Sequence, residues 1–248
     1  MYDRFAGVYD RLMDDFDYPA WADYYLKILS LAGCSPRAAC ECACGTGSMT
    51  IALAKRGLRM VGCDLSEEML RRAQEKARAA GVMIPFVHED MTALTLPRPV
   101  EAILCPCDGV NYLTEEKRVR AFFRAALRNL RPGGVLAFDI SSRYKLTERM
   151  GDAFFGEERD DVAYRWQNSL QGDLVTMDLT FFLRREDGLY ERFEERHVQR
   201  AHRQEEMEDW LCTEGFCDVR VYGDRTLSGP GSQELRLHFT AKKQTEAQ

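Results

Sequence analysis

Short apolar runs alternate with amphipathic segments through the middle of the chain, and this alternation constrains the fold more than any other feature. The apolar runs cover residues 38–43, 59–64, 84–88, 102–105 and 135–140. The segments 48–55, 66–80 and 115–130 separate them and have apolar side chains at helical spacing. Strands that alternate with helices are typical of a parallel sheet covered by helices on both faces. With two later strands, 218–222 and 234–241, the sequence predicts an α/β, doubly wound, mostly parallel seven-stranded sheet.

A period of two replaces the helical spacing between residues 161 and 200. Apolar and polar side chains alternate over 175–183, and Glu186-Asp-Gly188 is typical of a hairpin turn before a partner strand over 189–200. We therefore predict an antiparallel β insertion. The predicted divisions of the chain are residues 1–30, aromatic cap helices; 31–160 with 201–242, the α/β domain; and 161–200, the insertion.

The overall charge of the chain argues against a polynucleotide partner. The net charge is −6 and the pI about 5.4, so the chain lacks the basic field that gathers nucleic acid. No apolar run reaches the roughly 18 to 20 residues that span a bilayer. The first residues also lack the basic-then-apolar order of a signal peptide. We expect a cytoplasmic protein without a membrane segment.

Nine cysteines are present, and Cys40, Cys42 and Cys44 alternate along the first predicted strand. This alternation places the three side chains on one face of the strand. Zinc sites usually combine two Cys-x(2–4)-Cys knuckles on turns, a pattern that these strand positions do not supply. We therefore predict buried thiols and no metal.

The segment Gly45-Thr-Gly47 lies where the first predicted strand turns into the first helix. Glycines at such a turn let the backbone approach a ligand closely, and the helix N-terminus offers free N–H groups. A dinucleotide fingerprint needs a third glycine, but Thr50 occupies that position. The departure disfavours NAD and favours a nucleoside cofactor without a pyrophosphate, such as S-adenosyl-L-methionine.

Two carboxylates follow the second and third strands in the order that a bound nucleoside requires. Asp64 comes 19 residues after Gly45, at the end of a strand, where an acid can accept both ribose hydroxyls. Asp90 follows the next strand and is placed to bind the adenine amino group. The residues placed to sandwich the purine ring are Leu65, Met69 and Met91. The alternative is that both aspartates merely cap helices.

These segments resemble successive motifs of one family, the class I S-adenosylmethionine-dependent methyltransferases, which have a Rossmann-like fold. The similar segments are Glu41-x-x-Cys-Gly-Thr-Gly47, Val61-Gly-Cys-Asp-Leu-Ser-x-x-Met69, Glu89-Asp-Met91 and Arg131-Pro-Gly-Gly134. Residues 2–10 resemble the start of small bacterial small-molecule members, in which an N-terminal helix folds over the cofactor. Asp108-Gly-Val-Asn-Tyr-Leu113 resembles the motif that lies under the reactive methyl group. The cofactor-binding residues that the resemblance implies are Glu41, Cys44, Gly45, Thr46, Gly47, Asp64, Leu65, Met69, Glu89, Asp90, Met91, Cys107 and Tyr112.

The first 25 residues hold eight aromatic side chains, more than one face of a packed helix needs. The eight are Tyr2, Phe5, Tyr9, Phe16, Tyr18, Trp21, Tyr24 and Tyr25. Part of this set is therefore free to close over a ligand and to contact a sulfonium through a cation–π interaction. We predict Tyr9 and Trp21 as cofactor contacts, with ordinary packing of an added helix as the alternative.

Methyl transfer from a sulfonium is an in-line displacement in which the protein orients and desolvates the nucleophile. The candidate polar lining comprises Asn111, Tyr112, Glu195, His197 and Arg200. We predict that Asn111, Tyr112 and His197 orient the acceptor, and that His197 acts as a base if its pKa lies near neutrality. Alternatively, His197 is a strand residue that faces water.

The mixed charges of the insertion, which we predict to be a substrate lid, favour a small polar acceptor methylated on nitrogen or oxygen. We expect a monomer or a homodimer.

Two other functions stay open. Pro106-Cys107 follows the fourth strand, where C5-pyrimidine RNA methyltransferases place a nucleophilic cysteine, so Cys107 is a candidate nucleophile if its thiol pKa is lowered. A non-catalytic or redox-active nucleotide-binding protein could also use this sheet, because a fold does not fix a function.

Overall fold

The computed structural model describes residues 6–159 and 161–245, so Tyr2 and Phe5 of the predicted aromatic cap lie outside the described residues. The helices are α1 (Ala6–Leu12), α2 (Tyr18–Leu31), α3 (Ser48–Ala54), α4 (Glu67–Ala79), α5 (Glu116–Asn129) and α6 (Gln204–Thr213). The strands are β1 (Ala38–Cys42), β2 (Arg59–Asp64), β3 (Phe86–His88), β4 (Val100–Cys105), β5 (Leu130–Ser141), β6 (Phe154–Glu158), β7 (Val162–Gln171), β8 (Leu174–Arg184), β9 (Tyr190–Arg200), β10 (Phe216–Tyr222) and β11 (Arg236–Lys243). Short 3-10 turns lie at Met91–Ala93 and Gly109–Tyr112, and a π-helical turn at Lys145–Met150.

Seven strands form the main sheet, in the order β3-β2-β1-β4-β5-β11-β10. Strands β1 to β5 are parallel, and β11 runs antiparallel to both of its neighbours. The predicted doubly wound, mostly parallel seven-stranded sheet is therefore confirmed. The strand order reverses between β1 and β4, and ligands of open α/β sheets bind at the carboxyl ends of the strands at such a point.

The observed boundaries differ from the predicted ones most clearly at β5. This strand begins at Leu130, whereas the predicted strand begins at residue 135, so residues 131–134 lie within it. Its pairing with β4 shifts between Val100 and Ala102, and Gly133 has a φ of 75°. An irregular strand of this kind absorbs the turn locally, whereas the sequence pattern shows only the Pro-Gly-Gly break.

A second sheet contains β6, β7, β8 and β9 in that order, with every pair antiparallel. The predicted hairpin corresponds to β8 and β9, but the sheet begins at Phe154 and the predicted boundary at 160/161 falls between β6 and β7. The sequence did not reveal β6 and β7. Strand β6 is exposed along its length and β7 mixes partly buried polar and apolar residues, so neither shows a clean alternation.

The second sheet packs its inner face on helix α1 and on the start of helix α4. Val175, Met177 and Phe181 of β8 form a buried cluster with Val8 of α1 and Met69 of α4. Residues two apart on β8 and β9 share this face, so His197 and Gln199 of β9 are also buried. The insertion is thereby held against the carboxyl-end side of the main sheet.

Two apolar layers cover the main sheet, one on each face. On one face, α5 and α6 pack on β4, β5 and β11, and Phe138 stacks on Phe239 with ring centroids 4.8 Å apart. On the other face, α2 and α3 pack on β1, β4 and β5. Within the described ranges, no helix combines the length and the apolar character needed to cross a membrane.

Phe138→Ala should lower the free energy of unfolding by about 3 to 5 kcal/mol, because it removes a fully buried ring and leaves a cavity against Phe239. Urea denaturation followed by circular dichroism measures the change. Leu189→Ala is the control, because that side chain is 64% exposed, and its effect should stay within about 0.5 kcal/mol. Equal effects of the two substitutions would contradict this description of the core.

Candidate active site

The loop between β1 and α3 leaves room for a ligand above Gly45. Gly47 precedes α3 with a φ of 75°, and a Cβ there would lie 2.9 Å from the Ala73 side chain and 3.1 Å from the Phe86 ring. Glycine is therefore required at 47 both by the backbone conformation and by the contact. Gly45 also has a positive φ, of 52°, but no atom lies within 4 Å of where its Cβ would be.

Asp64, at the end of β2, is held in a fixed orientation beside this loop. One carboxylate oxygen accepts the Gly45 N–H at 2.8 Å, and the other accepts the Ser66 N–H at 2.9 Å. Burial raises the pKa of Asp64 while these backbone hydrogen bonds lower it. The alternative that Asp64 caps α4 is wrong, since Ser66 is the N-cap and accepts the Met69 N–H. Each oxygen keeps a lone pair, so the carboxylate can also accept ribose hydroxyls.

Asp90 does cap a turn, as the alternative for it proposed. It accepts the Thr92 N–H at 2.8 Å and pairs with Arg118 at 2.7 Å. Glu89, its neighbour, accepts the Thr95 N–H at 2.9 Å. Both carboxyl groups remain only half-buried, so these contacts leave their predicted cofactor roles open.

The three apolar residues predicted to sandwich the purine lie in different environments. Leu65 is 62% exposed beside the loop, in a position to cover a ligand. Met91 is buried with its sulfur 4.0 Å from the Cys105 sulfur. Met69 packs against α1 and the second sheet. Leu65 is therefore the member of the set that is most available to a ligand.

Glu41 is buried beneath the loop, and Thr50 explains how it is tolerated there. The Thr50 hydroxyl donates to the Glu41 carboxyl group at 2.5 Å. Burial raises the pKa of Glu41 to about 8 although this hydrogen bond lowers it, so the group is largely protonated at neutral pH. The residue that replaces the third glycine of a dinucleotide fingerprint thus serves to satisfy a buried acid.

Helix α1 is tied to the loop by a cluster of four polar residues, which we call the Asp10 cluster: Asp10, Thr46, Ser48 and Lys76. Asp10 accepts the Thr46 hydroxyl at 2.6 Å and the Lys76 ammonium at 2.7 Å. Lys76 also donates to the Ser48 hydroxyl at 2.6 Å. The helix therefore lies over the loop, and a contact of Tyr9 with a bound cofactor stays a prediction.

Trp21 packs between helix α2 and strand β11. It is buried in α2, and the Arg236 guanidinium carbon is 5.2 Å from its ring centroid. Its ring also stacks near Tyr25, with centroids 6.3 Å apart. A contact of Trp21 with a bound cofactor stays a prediction, and its observed neighbours include Phe16, with ring centroids 4.7 Å apart, beside residues of α2 and β11.

The carboxylate of Asp139, fully buried near the end of β5, joins four parts of the chain. It accepts the Tyr25 hydroxyl at 2.6 Å, the Cys107 N–H at 2.8 Å and the Asp108 N–H at 3.0 Å. It also forms a short ion pair with Arg236 at the start of β11. A buried carboxylate with this many donors is fully compensated, and its partners are fixed in place.

The turn after β4 has an unfavourable backbone conformation that Asp139 supports. Cys107 and Asp108 have φ values of 60° and 54°, in the left-handed region. Their successive N–H groups both point at the Asp139 carboxylate. The Asp108 side chain is then held by Arg236 at 2.9 Å and by Gln199 of β9 at 2.9 Å, and Arg236 is the main neighbour that lowers its pKa against burial.

Asn111 is fully buried and connects three segments rather than facing an open site. Its amide nitrogen donates to the backbone carbonyls of Ser141 and Arg200 at 3.1 and 2.9 Å, and its oxygen accepts the Ser141 N–H at 2.9 Å. The side chain thereby joins the turn after β4 to the ends of β5 and β9. The predicted orienting role fits this position only as an indirect one.

His197 is buried on the inner face of β9, so the alternative that it faces water is wrong. Its ring meets Tyr112 edge to face, with centroids 6.0 Å apart. Burial lowers the pKa of His197 to about 4, which makes it a weak base at neutral pH. The condition attached to its predicted role as a base is therefore not met.

The two remaining residues of the predicted lining, Glu195 and Arg200, also belong to β9. Arg200 pairs with Glu206 at 3.3 Å and lies 5.6 Å from the Trp210 ring, so it faces helix α6. Glu195 is half-buried on β9.

The thiol of Cys107 does not have the properties of a catalytic nucleophile. Burial raises its pKa well above the ordinary value for cysteine, and Asp139 raises it further. Thiolate chemistry requires the opposite shift. This observation weighs against the C5-pyrimidine alternative.

The prediction that Cys40, Cys42 and Cys44 share one face is wrong for Cys44. Strand β1 ends at Cys42, and the Cys44 sulfur lies 3.0 Å from where a Gly62 Cβ would be. Gly62 and Cys63 alternate on β2, so Cys44 lies on the face opposite to Cys63. Cys40 and Cys42 instead group with Cys63.

Sequence reasoning missed Tyr25 as part of a polar network, and it missed Asp139, Gln199 and Arg236 entirely. One signal was available, because Asp139 is the single charged residue within the apolar run 135–140. Its partners are separated from it by up to 114 residues, as for Tyr25, and local spacing does not indicate them.

His197→Gln should reduce the loss of stability that the protein suffers on acidification. Burial lowers the pKa of His197 to about 4, so the unfolded chain takes up a proton at a higher pH than the folded protein does. The free energy of unfolding therefore falls as the pH drops from about 6.5 to 4, by up to about 3 kcal/mol. Urea denaturation of both proteins between pH 7 and 4 measures the difference. His88→Gln, at an exposed position, is the control, and equal slopes for all three proteins would refute the assignment.

The comparisons with known proteins agree with this geometry. A family model described as a methyltransferase domain matches residues 39–134. A protein of Geobacillus sp. (strain WCH70), provisionally named a methyltransferase, is 37% identical over 246 residues that cover 98% of this chain and 99% of the relative. The similarly named YqeM of Bacillus subtilis (strain 168) is 36% identical over 246 residues, 98% of this chain and 97% of the relative.

A solved structure extends the similarity to three dimensions. The crystal structure of an S-adenosylmethionine-dependent methyltransferase from Clostridium acetobutylicum ATCC 824 superimposes with a TM-score of 0.89 at 31% identity, covering 98% of this chain and 99% of that one. The open glycine loop and the acid at the end of β2 fit a nucleoside cofactor. The chain therefore belongs to the class I S-adenosylmethionine-dependent methyltransferases and uses S-adenosyl-L-methionine as its cofactor.

Proposed function

We propose that this enzyme methylates a small polar acceptor, with an amine nitrogen favoured over a hydroxyl oxygen. The observation that carries the proposal is the enclosure of the site by three separate elements. Asp10 of α1 bonds to Thr46, Tyr25 of α2 bonds to Asp139, and Gln199 of β9 bonds to Asp108. A site closed in this way excludes water and large acceptors.

The wall at the carboxyl ends of β4 and β5 is polar and balanced in charge. Two carboxylates, Asp108 and Asp139, face the guanidinium of Arg236, and Lys145 lies close enough to influence the pKa of Asp108. The Lys145 ammonium donates to the Ser141 hydroxyl at 3.1 Å. Such a wall supports a polar acceptor that carries hydrogen-bonding groups, and a lipid would leave these groups unpaired.

The pKa values of the candidate bases support an amine. His197 has a pKa of about 4, and burial raises the pKa of Tyr25 and of Tyr9 well above the usual tyrosine value. None of these three groups is poised to remove a proton from a hydroxyl near neutral pH. A neutral amine already has its lone pair available and requires no strong base before transfer.

Relatives that match about half of this chain carry names of small-molecule enzymes of both kinds. The ubiquinone biosynthesis O-methyltransferase of Methylococcus capsulatus (strain ATCC 33009 / NCIMB 11132 / Bath) is 34% identical over 115 residues, 46% of each chain. The glycine N-methyltransferase of Rattus norvegicus is 30% identical over 136 residues, 50% of this chain and 45% of the relative. These names support a small acceptor but do not distinguish nitrogen from oxygen as the atom that accepts the methyl group.

In the proposed mechanism, the cofactor supplies the reactive methyl group and the protein positions the two reactants. S-adenosylmethionine supplies an activated methyl group for in-line displacement. Gly45 and Asp64 would hold its nucleoside, and the turn at Cys107 and Asp108 would bound the transfer position. The contribution of the protein is then to exclude water and to fix the acceptor, which is where Asp139 and Asn111 act as positioning residues.

Asp64→Ala should weaken binding of S-adenosylhomocysteine at least tenfold, because hydrogen bonds to a charged carboxylate are each worth about 1.5 to 3 kcal/mol. Isothermal titration calorimetry measures the affinity. Asp187→Ala, in the exposed hairpin turn, is the matched control and should bind normally. Unchanged affinity of the Asp64→Ala variant would show that the ribose lies elsewhere. In a separate thermal-shift measurement, stabilisation of the wild type by NAD alone would contradict the choice of S-adenosylmethionine as cofactor.

A direct test of the acceptor class supplies methyl-labelled cofactor with paired panels of small amines and the corresponding alcohols. We expect S-adenosylhomocysteine release and labelled product from an amine, detected by mass spectrometry. Turnover confined to the alcohols would refute the choice of nitrogen. Label recovered at C5 of a pyrimidine in RNA would refute the small-molecule proposal.

Cys107→Ser separates the proposal from the nucleophilic alternative. The variant should keep measurable turnover, because the raised pKa keeps the thiol protonated and no covalent step depends on it. The same assay measures it, with Cys212→Ser at an exposed position as the control. Complete loss in Cys107→Ser alone, with a normal unfolding curve, would favour a nucleophilic cysteine.

A further inference from the structure

Three cysteine side chains lie together on the face of the main sheet that α5 and α6 cover. The sulfur atoms of Cys40, Cys42 and Cys63 all lie within 4.8 Å of one another, and all three residues are fully buried. Cys40 and Cys42 lie two apart on β1 and share a face, and Cys63 is the direct partner of Cys42 on β2. The sequence pattern concealed this grouping, because the third sulfur comes from a neighbouring strand.

The spacing of the three sulfurs suits a single soft metal ion. Zinc–sulfur bonds are about 2.3 Å long, so three sulfurs around one ion lie about 4 Å apart. The observed separations, at or below 4.8 Å, require only small side-chain rotations to reach that geometry. Thiolates select soft or borderline ions such as Cu(I) and Zn²⁺ over hard cations.

The surroundings favour sulfur-only coordination. The three residues belong to the apolar layer that contains Ile103 and Phe122, so no carboxylate of that layer competes as a ligand. All nine cysteines of the chain are free thiols, so no disulfide withholds these three.

We propose that Cys40, Cys42 and Cys63 form a binding site for one thiophilic metal ion of the Zn²⁺, Cd²⁺ or Cu(I) type. Each sulfur that binds as a thiolate releases one proton to solvent. With a divalent ion and three thiolates the site carries one net negative charge. The cofactor loop is adjacent, because the Cys44 N–H donates to the Cys63 carbonyl at 3.0 Å. The proposal does not depend on the identity of the methyl acceptor.

Titration of the reduced, metal-free protein with cadmium chloride tests the proposal. Thiolate-to-metal absorption in the ultraviolet should saturate at one cadmium per chain, and elemental analysis after desalting should recover the same ratio. Cys40→Ala, Cys42→Ala and Cys63→Ala should each lose the absorption. Cys105→Ala, buried in the same apolar layer, and Cys212→Ala, exposed on α6, are matched controls that should keep it.

X-ray absorption at the cadmium edge of the loaded wild type provides a test that needs no variant to fold. We expect a first shell of sulfur neighbours only. Oxygen or nitrogen neighbours in that shell would overturn the proposal. It would equally be overturned if folded wild-type protein retained no cadmium, or if the three alanine variants bound it as well as the controls.

Discussion

The buried carboxylate of Asp139 is the interaction on which the rest of the site depends. It receives hydrogen bonds from α2 through Tyr25 and from the turn after β4, and an ion pair from Arg236 of β11. Removing one partner of a buried charge leaves the others uncompensated, typically at a cost of about 3 to 5 kcal/mol. The left-handed turn at Cys107 is therefore stabilised by Asp139, more than 30 residues away along the chain. The same carboxylate fixes helix α2 through Tyr25.

From this centre the geometry of the site extends outward in two directions. Toward the second sheet, Arg236 holds Asp108, and Asp108 accepts the Gln199 amide, so the position of β9 is coupled to that of the main sheet. Toward the cofactor loop, Asp64 accepts the Gly45 N–H, and helix α1 lies over the loop. The elements around the proposed donor and acceptor positions thus differ in how firmly they are held. Buried bonds fix the acceptor wall, and partly exposed ones fix the cover.

The sequence predicted the parts of this molecule that depend on local periodicity. Strand β2, helix α4 and the mostly parallel arrangement of the main sheet follow from alternation and spacing. What it did not predict depends on pairing across the chain. Arg236 becomes part of the site only when β11 lies beside β5, Cys63 joins two other thiols only when β2 pairs with β1, and the exposed edge strand β6 buries no side chain that could produce a pattern.

The ties that close helix α1 over the loop have a consequence for the catalytic cycle. They combine the Asp10–Thr46 hydrogen bond with two ion pairs near the surface, Asp10 with Lys76 and Arg11 with Asp161, whose side chains keep between 32 and 58% of their accessible surface. Added salt weakens such pairs far more than it weakens the buried pair of Asp139 and Arg236. In many enzymes the opening of a covering element limits product release, and the turnover rate then falls as the contacts that hold this element closed become stronger. We therefore expect added salt to act on the exchange of the spent cofactor and to leave the transfer geometry unchanged.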